Sequence, residues 1–236
     1  MRLFTILLML LASPVFAQDT DLELVLLADA SGSIDQREID FQRQGYAAAI
    51  TDPEVLDAIA NTAYGSIAVT YVEWAANQAV VADWMRIDSA DSATLFAAEL
   101  LNKPRQAYGR NAIGAALLEG LRLMDTNDFD GWRRVIDFSG DSVRYFSGPS
   151  TAEARKTVVA AGVTINALPI LRPDDPGRTQ GGLETLYEAQ IIGGIGAVVV
   201  TAENRASFAE AVKRKLILEI SGQMPSTHVA DLGVED

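Results

Sequence analysis

Cysteine is absent from the whole chain, and histidine occurs once, at His228 in a polar C-terminal stretch. Without cysteine there are no disulfides, no thiolate metal sites and no thiol nucleophile. A single histidine argues against histidine-based zinc sites and against catalysis by a Ser-His-Asp or Cys-His arrangement. Stability must therefore come from the hydrophobic core, and these absences restrict the possible functions more than any other feature of the composition.

Basic residues are also scarce, with 19 Lys and Arg against 32 Asp and Glu and a formal net charge of −13. An acidic surface disfavours binding to nucleic acid or to anionic lipid through charge. It is compatible with cation binding, with solubility or with a basic partner. We therefore expect no nucleic-acid partner.

No apolar run is long enough to cross a membrane, which takes about 20 residues. Residues 3–11 are apolar, follow the positive charge of Arg2 and precede a small-residue sequence that ends at Ala17, an order typical of a secretory signal. Residues 191–200 are apolar but are interrupted by three glycines. The sequence thus predicts a signal peptide at residues 1–17 and a soluble, exported protein, periplasmic or secreted, from a Gram-negative bacterium.

Hydrophobic residues make up 49% of the chain and charged residues 22%, as in globular proteins. Strand-length apolar stretches alternate with segments of helical periodicity. This predicts an α/β sandwich with a mainly parallel central sheet, one antiparallel edge strand at residues 78–87 and helices on both faces. We assign residues 18–221 to one domain and residues 222–236 to a polar, disordered tail.

The boundaries of the elements follow from apolar periodicity and from Gly and Pro signals. Strands are predicted at residues 22–28, 64–74, 78–87, 134–139, 163–170 and 197–201, with a loop at 128–131. Helices are predicted at about 34–50, 89–102, 113–124, 151–161, 183–192 and 203–220.

Three predicted turns carry side chains that suit a hard cation. Asp29, Ser31 and Ser33 follow the first strand, Asn111 precedes a strongly periodic helix, and Asp141 follows a later strand. The crevice at the carboxyl ends of the strands is the usual ligand site of an open α/β sheet. All five residues offer oxygen atoms, which Mg²⁺ prefers.

Helix capping is a second interpretation of the first turn. Ser33 can be the N-cap of the following helix, with Gln36 three residues later completing a capping box. From the residues alone, a metal-binding turn and a helix cap are about equally supported, and Ser33 can serve in both roles at once.

The Asp29-x-Ser31-x-Ser33 pattern after an apolar strand resembles the metal-ion-dependent adhesion site of von Willebrand factor A domains. In that family the metal is held by this motif, by a threonine from a second loop and by an aspartate from a third. Asp141 matches the aspartate, whereas Asn111 stands where threonine is expected. The resemblance implies a site for Mg²⁺, Mn²⁺ or Ca²⁺ that an Asp or Glu of a protein partner completes, and Asn111 can still offer its amide oxygen.

Further segments resemble a bacterial family of exported, uncharacterised von Willebrand factor A-like proteins. They are Glu73-Trp74 and residues 165–170, 192–197 and 214–216, and the similarity covers roughly residues 21–221. This resemblance implies the fold more firmly than the role.

Three other features have open roles. Glu73 ends a predicted central strand, and we expect a solvated strand end rather than a pocket residue. Arg144 and Tyr145 follow Asp141 closely and either contact an acidic ligand or lie on the surface without a role. Residues 172–182 form a polar loop, rich in Pro and Gly, that is a candidate flap.

Three functions are compatible with these residues, and the first is favoured. It is a metal-dependent, non-enzymatic protein-binding module. The second is a metal-free interaction scaffold with a degenerate site, which the unusual Asn111 would favour. The third is a Mg²⁺-dependent phosphoryl hydrolase with Asp29 as nucleophile. The lack of a lysine in an obvious phosphate-binding position, and of a second carboxylate at Ser31, argues against the third.

Overall fold

The structure is a computed structural model that describes residues 17–171, 182–202 and 205–222. The predicted signal peptide, the candidate flap and the C-terminal tail fall almost wholly outside these ranges, and they stay predictions.

A five-stranded sheet forms the centre of the domain, in the order β3-β2-β1-β4-β5. β1 pairs in parallel with β2 and β4, β4 pairs in parallel with β5, and β3 runs antiparallel to β2 at the edge. The strands are β1 (Gln18–Asp29), β2 (Ile67–Trp74), β3 (Gln78–Ile87), β4 (Phe129–Gly140) and β5 (Thr164–Pro169). The predicted α/β fold, with its antiparallel edge strand, is therefore confirmed.

Apolar side chains on both faces of β1 explain why helices cover both sides of the sheet. Leu24 and Leu26 face one hydrophobic cluster, while Val25 and Leu27 face the other, as the two-residue period of a strand requires. The helices are α1 (Gln36–Ile50), α2 (Pro53–Ala60), α3 (Ala90–Asn102), α4 (Ile113–Asp125), α5 (Thr151–Ala160), α6 (Gly182–Gln190) and α7 (Arg205–Ser221). Helices α1, α2, α3 and α7 pack on the first face, and α4, α5 and α6 on the second.

Several predicted boundaries differ from the structure, and helix α2 (Pro53–Ala60) is absent from the predicted elements. Residues 129–131 belong to β4 rather than to a loop, because they pair with residues 18–20 of β1 and lengthen both strands. Residues 197–201 form no strand of their own, and only isolated bridges join Val199 to Ala167 and Ala202 to Ile170. Ala167 exchanges backbone hydrogen bonds with Val198 and Val200, and Val199 and Val200 pack against the core.

The N-terminus of α1 corrects the capping interpretation of Ser33. Asp35 is the N-cap: its side chain accepts a hydrogen bond from the Glu38 amide at 2.9 Å, and the Glu38 carboxylate accepts one from the Asp35 amide at 2.9 Å. Ile34 and Ile39 lie in the same small apolar cluster, the positions of a hydrophobic staple around an Asp35 cap. Ser33 therefore lies outside the helix, in the loop after β1.

This assignment predicts different effects for two neighbouring substitutions. Asp35→Ala removes the acceptor for an N-terminal amide of α1 and should lower the urea midpoint of unfolding, whereas Ser33→Ala removes no cap and should leave it unchanged. Equilibrium unfolding followed by far-ultraviolet circular dichroism in EDTA measures both. An equal decrease of the urea midpoint in the two variants would contradict this assignment and support Ser33 as a cap.

Candidate metal site

Three loops meet at the carboxyl ends of β1 and β4, and backbone hydrogen bonds join them. The Gly32 amide donates to the Gly109 carbonyl at 2.7 Å, and the Phe146 amide donates to the Asn111 carbonyl at 2.8 Å. These bonds connect the loop after β1 to the loop before α4, and that loop to the one after β4. The fold therefore brings the three predicted turns to one edge of the sheet.

All five predicted ligands lie at this junction, in two layers. Ser33, Asn111 and Asp141 line a pocket of about 350 Å³, and Asp29 and Ser31 are buried beside it. The Asp29 carboxylate accepts hydrogen bonds from the Ser31 amide at 2.8 Å and from the Asp141 amide at 3.4 Å. The Ser31 and Ser33 hydroxyl oxygens are 3.1 Å apart. Only the first layer reaches the space that a ligand would enter.

The two carboxylates of the site form a buried pair of like charges. Asp29 is fully buried, and Asp141 is 1% exposed. Burial first, and then the negative charge of Asp141, raise the pKa of Asp29 to about 7, although hydrogen bonds from Ser31 and Asp141 partly offset the rise. A cation bound at this site would favour the ionised form of both carboxylates.

The donor set suits a hard cation that keeps part of its water shell. Within the described ranges, no three Asp, Glu, His or Cys side chains come together as a metal site by themselves. A cation here would therefore depend on hydroxyl, amide and water oxygens as well as on the two carboxylates. Mg²⁺ is commonly bound through one or two carboxylates with several waters retained, so the residues present fit such an ion.

Arg105 supports the loop after β1, and nothing in the sequence pattern singled it out. Its guanidinium donates to the carbonyl oxygens of Ala30, of Ser31 at 3.2 Å and of Ile34 at 3.0 Å. Its Nε donates to the Ala107 carbonyl at 2.9 Å. One arginine thus fixes the backbone that presents Ser31 and its neighbours.

Glu73 is not the solvated strand end that the sequence suggested. It is fully buried and forms a salt bridge with Arg43, in which the Nη2–Oε1 distance is 2.6 Å. Its other carboxylate oxygen accepts from the amides of Gln106 at 2.8 Å and Ala107 at 3.3 Å. Glu73 therefore anchors the segment that leads into the Asn111 loop.

Two glycines keep the junction close-packed. Gly109 has a φ of +104°, which only glycine adopts readily, and a Cβ there would lie 2.7 Å from the Cβ of Ala76. At Gly140, a Cβ would lie 3.1 Å from a carboxylate oxygen of Asp29 and 2.9 Å from the Trp74 ring. Side chains at either position would displace the loops that carry the site.

The mouth of the pocket carries two arginines. Arg110 and Arg144 are exposed and line the same pocket as Asp141. The Arg110 guanidinium lies 4.0 Å from the centre of the Phe146 ring, within cation–π range. Of the two residues noted after Asp141, the structure places Arg144 at the pocket, and Tyr145 is 49% exposed and does not line it.

Comparison with protein families gives one match that spans most of the chain. The family model described as "Protein of unknown function (DUF1194)" matches residues 19–224. No curated protein sequence matches the chain.

Solved structures with the same fold include von Willebrand factor A proteins. A von Willebrand factor type A protein from Catenulispora acidiphila has a TM-score of 0.60 at 16% identity, over 85% of this chain and 43% of that one. Proximal thread matrix protein 1 from the mussel byssus, with a zinc-occupied MIDAS motif, has a TM-score of 0.61 at 16% identity, over 87% of this chain and 49% of that one.

A third similar structure is the PilB minor pilin from Streptococcus sanguinis. Its TM-score is 0.65 at 12% identity, over 89% of this chain and 63% of that one. The chain thus spans less than two thirds of each of these three proteins. These likenesses confirm the von Willebrand factor A fold. Among the residues that the structure describes, every helix is too short or too polar to span a bilayer.

Proposed function

This chain belongs to the DUF1194 family of proteins of unknown function, and we propose that it is an exported, metal-dependent protein-binding module. The observation that carries the proposal is the two-layered site. Ser33, Asn111 and Asp141 line an open pocket, directly beside the buried Asp29 and Ser31. The predicted signal peptide supports export to the periplasm or beyond.

The ion that fits the site best is Mg²⁺, with Mn²⁺ or Ca²⁺ as alternatives. Ser33, Asn111 and Asp141 would hold it, with Asp29 and Ser31 acting from the buried layer, directly or through water. Such an ion offers an open coordination position to the carboxylate of a partner's Asp or Glu. On this fold, the zinc-occupied MIDAS motif of the mussel byssus protein supports a metal site, and the pilus adhesin SpaC from Lactobacillus rhamnosus GG supports a binding role.

A hydrolase is the weaker proposal, because Asp29 is badly placed for nucleophilic attack. Its side chain has no exposed surface, and its two oxygens accept the Ser31 and Asp141 amides. A nucleophile must reach the reacting atom, and Asp29 lies beside the pocket rather than in its lining. Release of phosphate from p-nitrophenyl phosphate in MgCl₂, abolished by Asp29→Asn, would reverse this order of preference.

Metal binding should raise the stability of the folded chain. A cation that binds only the folded state adds about 2.7 kcal/mol to the free energy of unfolding at about 100 times its dissociation constant. We expect this increase when EDTA is replaced by saturating MgCl₂, MnCl₂ or CaCl₂, and we expect Asp29→Ala to abolish it. Urea unfolding of residues 18–236 measures both.

The matched control for this test is Asp40→Ala, which removes an exposed carboxylate from α1 and should leave the metal response intact. A wild-type chain that responds to none of the three ions would contradict the metal site and favour the metal-free scaffold. A response that survives Asp29→Ala would place the ion elsewhere.

Asn111 should contribute to affinity through its side chain. Asn111→Ala removes an oxygen donor from the pocket and should weaken Mn²⁺ binding by roughly tenfold or more, while Asn111→Thr, with a hydroxyl oxygen, should largely retain it. Calorimetric titration with MnCl₂ measures the dissociation constants. Equal affinities for the wild type and Asn111→Ala would remove Asn111 from the ligand set.

A further inference from the structure

With a divalent cation bound, the pocket would carry more positive charge than one partner carboxylate balances. Arg110 and Arg144 line it, and neither forms a salt bridge with a described residue. Their two charges offset those of Asp29 and Asp141. A bound divalent cation would then leave an excess of two positive charges at the mouth, of which a single carboxylate neutralises one.

The two arginines are positioned at the rim rather than scattered over the surface. Arg110 precedes Asn111, and its guanidinium rests on the Phe146 ring at 4.0 Å. The Phe146 amide is in turn bonded to the Asn111 carbonyl at 2.8 Å, so the ring is tied to the loop that carries the site. The Arg144 amide donates a hydrogen bond to the Ser142 hydroxyl at 3.1 Å, in the same loop as Asp141.

This local positive charge stands out because the whole chain has a formal net charge of −13. Long-range attraction would bring cations, not acidic segments, to such a surface. An acidic partner therefore needs local cationic groups beside its docking point. Guanidinium groups are well suited to this role, because they bind carboxylates through two parallel hydrogen bonds.

We infer that the pocket recognises a protein segment carrying two neighbouring acidic residues. This inference rests on the proposed function: one carboxylate completes the metal site, and the second pairs with Arg110 and Arg144. The open pocket of about 350 Å³ accommodates side chains presented by a partner chain. The arginines thus determine which acidic segments bind, whereas the metal is required for any of them to bind.

Fluorescence anisotropy with labelled Gly-Ser peptides tests this directly. The peptides carry one Asp, two adjacent Asp or two Asp separated by one residue, and each is titrated with the chain in millimolar MgCl₂. We expect at least one two-Asp peptide to bind about tenfold more tightly than the one-Asp peptide. The double variant Arg110→Gln/Arg144→Gln should reduce that preference to none and keep the Mg²⁺-induced stabilisation.

Arg37→Gln is the matched control, since it removes one exposed arginine from the first turn of α1, outside the pocket, and should keep the preference. Equal binding of all peptides, absence of any peptide binding, or a preference that survives the double variant would overturn the inference. In each case, stabilisation of the wild type by Mg²⁺ would still support the metal site. A wild type that Mg²⁺ does not stabilise would contradict the proposed function itself. Competition by free succinate at peptide-like concentrations would identify a small dicarboxylate instead of a protein segment.

Discussion

Replacing Arg43 with methionine should lower the free energy of unfolding by about 3–5 kcal/mol, the usual cost of breaking a buried ion pair from one side. The side chains of Arg43 and Glu73 are 3% and 1% exposed, so the substitution leaves a carboxylate in the core without its cation. It also removes the donor to the carbonyl oxygens of Leu100, Lys103 and Pro104. The methionine side chain has no hydrogen-bond donor and cannot replace these bonds.

Urea unfolding in EDTA measures this loss apart from any metal effect. Arg43→Met combined with Glu73→Gln should be less destabilised than Arg43→Met alone, because the double variant no longer buries an unpaired charge. Arg37→Met, at a side chain that is 84% exposed, is the control and should leave the midpoint unchanged. A small effect of Arg43→Met, equal to that of the control, would mean that the pair does not hold the loop before α4.

Replacing Lys215 with methionine should have a similarly large effect, about 3–5 kcal/mol. Lys215 is fully buried, and it forms a salt bridge with Asp137 at 2.7 Å and another with Glu219. Both carboxylates are buried as well. The variant would leave two buried carboxylates without their ammonium group. It tests whether this cluster joins α7 to β4.

The loss of stability caused by Lys215→Met should increase with pH. Burial raises the pKa of Asp137, and it raises the pKa of Glu219 from 4.5 to about 7, while Lys215 opposes both shifts. A carboxyl whose pKa is raised in the folded state stabilises the fold fully below its unfolded pKa, and this contribution is lost as the pH rises through the folded value. Lys215→Met removes the opposing charge and raises both folded pKa values further.

The difference between wild type and Lys215→Met should therefore be larger at about pH 8 than at about pH 5. Urea unfolding at the two pH values measures it. Lys213→Met is the control on the same helix, because Lys213 pairs with carboxylates that are partly exposed, and it should show only a small effect. A pH-independent loss would show that the two carboxylates do not titrate with folding.

Local sequence patterns predict the elements that local physics controls. β1 is recognisable because apolar residues on both faces mark a strand buried on both sides. The convergence of Asp29 and Asp141 follows from one rule, that parallel strands end at the same edge of a sheet, whereas Asn111 reaches this edge from the loop before α4. The helix at Ile113 is predicted by its apolar period.

Long-range contacts explain what the patterns miss. Arg43 and Glu73 lie 30 positions apart, and no local periodicity signals that their charges will pair in the core. Arg105 reaches carbonyl oxygens more than 70 positions earlier in the chain. Such bonds depend on how loops meet after the sheet has formed.

The cap of α1 shows a different limit. The predicted capping box runs from Ser33 to Gln36, whereas the structure forms a second, overlapping box from Asp35 to Glu38. The packing of Ile34 with Ile39 selects the second, and this contact forms only in the folded loop. The selection matters for function, because it leaves Ser33 at the pocket.

Anomalous diffraction from crystals of the chain grown with MnCl₂ tests the metal site most directly. The manganese signal locates the ion without any assumption about its ligands. We predict one strong peak in the pocket, within metal–oxygen bonding distance of Ser33 and of at least one other predicted ligand, and no such peak in Asp141→Asn. A crystal without a peak there, or with its ordered manganese at another surface, would contradict the proposed metal-dependent binding site.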